Sequence, residues 1–127
     1  MIIEQKDHED QPQQTIVLME NGLSLLDINH IVRLEALSNY TRIFLANGKK
    51  IVVAKTLKYF AEQLQATGFV RCHRAHLVKS DYIEKMLCNS LLLSNGESIE
   101  ISRRKKAGLR SVLKDQLQLR MSSVNLE

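Results

Sequence analysis

The sequence predicts a mainly β fold, an elongated antiparallel hairpin and meander fold of about nine or ten short strands with one helix in the middle and one at the C-terminal end. Three observations predict it. Asn-Gly stands at Asn21-Gly22, Asn47-Gly48 and Asn95-Gly96, each time between two short apolar-rich runs. That pair suits a two-residue type I′ hairpin, which needs positive φ at both central residues. Helical period, by contrast, is confined to two stretches.

Taken in order, TIVLME from Thr15 folds back on LSLLDI, HIVRLEAL follows, and TRIFLA folds back on KKIVVA. Residues 56–67 turn helical, because Leu57, Phe60, Ala61 and Leu64 fall at i, i+3, i+4 and i+7. Thr56 is placed to cap that helix and Gly68 to follow its end. AHLV and YIEKML are short strands; Cys88-Asn89-Ser90 returns the second onto LLLS, which folds on ESIEIS. This succession predicts a meander, each strand beside its sequence neighbours. From Ser102 onward, Leu109, Val112, Leu113 and Leu117 form the second helical stripe, with Ser102 as its cap.

At 127 residues, 44% apolar and 25% charged, the chain has the make-up of one globular domain with tails. Residues 1–14 hold Glu4, Asp7, Glu9 and Asp10 against Lys6, together with Pro12 and no apolar period. They read as a disordered acidic and polar tail, with the folded domain over 15–116 and the helix end and a tail over 117–127. Outside residues 1–14, 17 basic residues stand against 10 acidic ones, a balance that attracts polyanions. No apolar run approaches the roughly 20 residues of a membrane helix, and no secretory signal opens the chain. Cys72 and Cys88, without a repeated spacing, suit a reducing compartment. The expected location is therefore cytoplasmic.

Basic and hydrogen-bonding residues gather at three foci. Arg103, Arg104, Lys105 and Lys106 fill the first turn of the second helix. Cations there oppose the macrodipole, so an external anion such as phosphate is the natural partner. The second focus is Arg71-Cys72-His73-Arg74-Ala75-His76, with Cys72 as a small buried group and His73 as framework. Zinc is not expected from Cys72, His73, His76 and Cys88, whose spacing lacks a paired-ligand pattern. The third is Ser38-Asn39-Tyr40-Thr41-Arg42. Its side chains can read base edges, while Tyr40 would cover the core edge. No nucleophile–base pair or phosphate-binding glycine loop is present, so neither catalysis nor a cofactor is expected.

A set of motifs runs in order through the chain: Ile31-Val32-Arg33-Leu34-Glu35-Ala36, Asn39-Tyr40-Thr41, Asn47-Gly48, Thr56-Leu57, Phe69-Val70-Arg71-Cys72-His73-Arg74-Ala75, Leu77-Val78, Ile83, Asn95-Gly96 and Ile101-Ser102-Arg103-Arg104. Together, over about residues 15–113, they resemble the LytTR family, the mostly-β DNA-binding domain of bacterial response regulators. Lys79 departs from the asparagine usual there. The resemblance implies a free-standing output domain without a receiver, because residues 1–14 are too few to form one. It also implies sequence-specific regulation of transcription, with loop side chains in the major groove of double-stranded DNA, commonly at direct repeats.

Carried onto this chain, the resemblance implies base contacts from Thr41 with Arg42, Arg74 and Arg104, and the side-chain chemistry of Asn39 adds it to them. Phosphates would be held by Arg71, Lys79, Ser102, Arg103, Lys105 and Lys106, with Tyr40 and His73 as framework. Five cations on phosphates would give a slope of log K against log salt near about −4.5. A homodimer on DNA and a regulatory protein partner are both compatible with this reading. The alternative is an interaction module that pairs with related regulators through strand edges and reads no DNA. A single-strand or RNA binder fits least, since three Tyr, three Phe and no Trp leave few stacking platforms.

Overall fold

The computed structural model describes residues 15–19 and 23–124. The elements are β1 (Thr15–Met19), β2 (Leu23–Asp27), β3 (Ile31–Leu37), β4 (Tyr40–Leu45), β5 (Lys50–Val53), α1 (Leu57–Gln63), β6 (Phe69–His73), β7 (His76–Lys79), β8 (Ile83–Met86), β9 (Ser90–Leu93), β10 (Ser98–Glu100) and α2 (Lys106–Val124). Short 3-10 turns precede β3, β8 and α2. The fold is mainly antiparallel β with two helices, as the sequence predicts. β6 is the strand that the apolar-run reading leaves out, because Arg71 and His73 interrupt its pattern.

The meander order is corrected. β1 and β2 form a hairpin by themselves, β8, β9 and β10 a three-stranded sheet, and the rest a five-stranded sheet ordered β5-β4-β3-β7-β6. β7 therefore pairs with β3, across the excursion through α1. The physical reason lies in β3, where Ile31, Val32, Arg33 and Leu34 are all buried. A strand covered on both faces belongs in the middle of a sheet and needs a partner on each side.

The hairpin positions hold, but their turn type differs. At Asn47-Gly48 and Asn95-Gly96 only the glycines have positive φ, +92° and +94°. Gly48 N–H donates to Leu45 O, and Gly96 N–H to Leu93 O, closing three-residue loops. Each asparagine side chain accepts from the amide two residues on, Lys49 or Glu97, at 2.9 Å. The asparagines thus act as Asx acceptors rather than as left-handed residues. The Asn21-Gly22 turn lies outside the described residues, as do residues 1–14.

Two apolar clusters sandwich the five-stranded sheet. On one face, Leu57, Phe60 and Leu64 from the α1 segment pack on Ile31, Leu34, Ile43, Val53 and Leu77. Thr56 caps α1 by accepting the Tyr59 N–H at 3.2 Å. The helix ends earlier than the apolar period suggests, and Thr67 closes the turn with its hydroxyl on Leu64 O. Gly68 therefore follows that turn rather than the helix itself. On the other face, Val32, Cys72 and Val78 meet Ile83, Leu91, Leu93 and Ile99 of the three-stranded layer and Leu109 and Leu113 of α2. Val112, read as part of the buried stripe, is half-exposed.

Candidate nucleic-acid interface

Arg74 sits on the tight turn between β6 and β7, and its side chain is exposed. The backbone beneath it is held on several sides. Arg71 donates from Nε to His73 O at 3.1 Å and from Nη2 to Arg74 O at 2.7 Å. His73 Nδ1 accepts the Ala75 N–H at 3.0 Å, and Ala75 O accepts the Ala36 N–H at 2.9 Å.

The second helix starts beside this turn. Ser102 N–H donates to Cys72 O at 2.9 Å, which fastens the start of the basic segment to β6. Ser102 Oγ accepts the Lys105 N–H at 3.3 Å, and the 3-10 turn Arg103–Lys105 leads into α2. No acidic residue occupies the first turn of either. Arg103, Arg104 and Lys105 are exposed, while Lys106 Nζ reaches Asn89 Oδ1 at 3.0 Å. His73, Arg74, Ser102, Arg104 and Lys105 line one concavity of about 380 Å³. The Arg71–His76 and Arg103–Lys106 foci are thereby one site.

The remaining focus joins them along a row of directly opposed residues. His73 pairs with His76, His76 with Glu35, Glu35 with Arg42, and Arg42 with Val52. Directly opposed residues share a sheet face, so Arg42 lies on the face of His73, roughly 14 Å away at three strand spacings. Arg42 Nη1 stands 3.4 Å from Glu35 Oε1. His73 and His76 have ring centroids 5.2 Å apart. Burial, then the neighbouring His73, holds His76 below the ordinary histidine range. Asn39 is exposed in the β3–β4 turn, where Ser38 takes a positive φ of 57°.

Three sequence expectations are overturned by placement. Thr41 has no exposed surface, and its hydroxyl donates to Lys55 O at 2.8 Å. It faces the core beside Ile43 and cannot reach a base. Lys79 is buried, with Nζ 3.3 Å from Thr67 O and 3.6 Å from Asp81, over the Phe69 ring; it is occupied inside and not turned to a phosphate. Tyr40, expected on the core edge, is 50% exposed, because β4 turns Thr41 and Ile43 inward and Tyr40 outward.

Arg33 is the residue that sequence reasoning misses. Its guanidinium is buried over the Phe44 ring, 3.6 Å from the centroid, and forks onto Glu97. That fork holds the Glu97 carboxyl below its ordinary range. Cys72 is fully buried, and burial pushes its thiol up to about 11. No helix among the described residues is long and apolar enough to cross a membrane.

A family model described as the LytTr DNA-binding domain matches residues 21–114. Among solved structures, this chain is similar to the LytTr DNA-binding domain of a Bacillus cereus protein described as a methyl-accepting/DNA response regulator. The TM-score is 0.67 at 22% identity, over 78% of this chain and 95% of that one. The likeness is one of fold. No curated protein matches the chain significantly.

Proposed function

This chain belongs to the LytTR family of DNA-binding domains, and on that basis we propose that it is a sequence-specific transcription regulator that reads the major groove of double-stranded DNA with loop side chains. The observation that carries the reading is the shared concavity of Arg74 and Arg104, set by the bond from Ser102 N–H to Cys72 O. Two exposed guanidiniums on one rigid rim suit bidentate donation to guanine O6 and N7.

In this reading Arg74 and Arg104 select bases. Asn39 contacts a base edge, and Arg42 joins it by exchanging Glu35 for DNA. Arg103, Lys105 and Lys106, with the Ser102 hydroxyl, hold phosphates and set the register. His73 orients the turn beneath Arg74. The binding unit is residues 15–116, acting in the cytoplasm without a cofactor, as two copies on direct repeats. Its role is binding, not catalysis.

Single substitutions test the assignment. Arg74→Ala and Arg104→Ala should each relax preference at one base position, at a cost of about 1–3 kcal/mol. Lys105→Met should weaken all sequences alike. If both arginine variants keep the wild-type preference, other residues read the DNA and the assignment fails.

A further inference from the structure

We infer that Arg71 is a positioning residue for base reading: it fixes the turn that presents Arg74 and does not anchor a phosphate. This rests on the reading of Arg74 as a base contact. From its residue type Arg71 is expected on the DNA backbone, but its guanidinium bonds the carbonyls of its own turn. One edge of the fork, Nε and Nη2, spans two successive carbonyls, His73 O at 3.1 Å and Arg74 O at 2.7 Å.

Two neighbouring carbonyls in a tight turn repel each other when they point the same way. A planar cation across both removes that repulsion and favours this one conformation. A lysine ammonium, with no rigid edge, does not replace the fork. The strand geometry makes the contact reachable, since the register of β6 against β7 shifts between Arg71 and His73. Such bulges re-aim side chains beside functional sites.

The rest of the turn is consistent with a preset support. Ala75 is held through its N–H by His73 Nδ1 and through its carbonyl by Ala36 N–H. Arg71 also lines, with Arg104 and Lys105, the groove that continues toward α2 along Phe69, Val70 and Leu109. Arg74 is thus an exposed side chain on a backbone held at its own carbonyl and at both neighbours. A base contact made from a preset turn avoids the cost of ordering it on binding.

The test uses the full chain with Arg71→Lys and Arg71→Gln. Two duplexes serve as probes: the sequence that the wild type enriches from a random pool, and a shuffled version of it. Affinity for both is measured across a salt series, with thermal melting as the check on folding. Arg71→Lys keeps the charge, so a phosphate role leaves its preference intact. The positioning role predicts that preference for the enriched duplex falls about five- to a hundredfold, the size of one lost bidentate contact. Binding to the shuffled duplex and the salt slope should stay as in the wild type. In an Arg74→Ala background, Arg71→Lys should cause no further loss, because it acts through Arg74.

An Arg71→Lys protein with wild-type preference overturns the inference. So does an Arg71→Gln protein whose slope shallows by about 0.9 while both duplexes weaken equally. If Arg71→Gln does not fold, Arg71→Lys and its double variant decide. A wild type without preference for any duplex removes the base-reading role of Arg74 and this inference together, an outcome distinct from the other two.

Discussion

Arg33 and Glu97 stand 64 residues apart in sequence, yet the guanidinium meets both carboxylate oxygens, Nε at 2.9 Å and Nη2 at 3.0 Å. The pair ties the central strand of the five-stranded sheet to the turn between β9 and β10. It thus locks the sheet bearing the Arg42 and His73 row to the layer that supports α2.

Glu97→Ala should destabilise the fold by about 2 kcal/mol. That is less than the cost of breaking a fully buried pair, because the Glu97 side chain keeps 37% exposure and water screens it. Denaturant unfolding checks this. A loss near zero would show that the apolar contacts of Val32 and Val78 with Ile83, Leu91 and Leu93, not the ion pair, hold the layers.

Acid should weaken the fold in two steps. His76 is held below its ordinary 6.5, so its contribution is complete above that pH and lost as pH falls through the folded value. Glu97 is held below 4.5, so the stability that it supplies is present above 4.5 and disappears as pH falls through its own folded value. Melting temperature against pH should decline first below about 6.5, and His76→Asn should remove that first step. A variant with the wild-type profile would assign the step to another group.

The two thiols should differ sharply in reactivity. Cys88 is exposed and Cys72 buried, with the Cys72 thiol pushed up to about 11, so little thiolate forms there at pH 8. Titration of the native protein with an aromatic disulfide should show one fast thiol. The second should appear only on unfolding, and two fast thiols would contradict the packing of β6 on the three-stranded layer.

With Lys79 buried and Arg71 bonded to its own turn, Arg103, Lys105 and Lys106 remain as phosphate cations in the proposed reading. Log K against log salt should fall with a slope near about −2.7 rather than −4.5. Lys79→Met should leave that slope unchanged, whereas Lys105→Met should shallow it by about 0.9. A change of that size from Lys79→Met would mean that Nζ leaves Thr67 O to meet DNA.

Local chemistry made much of this molecule legible in its sequence. The Asn47-Gly48 and Asn95-Gly96 turns, the Thr56 cap and the stripe of Leu57, Phe60 and Leu64 depend only on near neighbours. The pairing of β3 with β7 and the Arg33–Glu97 bridge depend on distant partners, and no local pattern announces them. Thr41 and Lys79 are buried where their residue types suggest DNA contacts, because residue type does not reveal which way a side chain faces. Period-two alternation did carry a signal for Thr41, which shares the face of Ile43 and Leu45. For Lys79 the buried head needs Thr67 O and Asp81 around it, and only the fold assembles those.

The most direct test of base reading is selection from random duplex DNA at near-physiological salt, with the Arg74→Ala/Arg104→Ala double variant in parallel. The wild type should enrich a short motif, repeated in direct orientation, and the double variant should lose it while still binding duplex DNA weakly. Enrichment of the same motif by both proteins, or of none by the wild type, would contradict the claim that these two arginines read sequence.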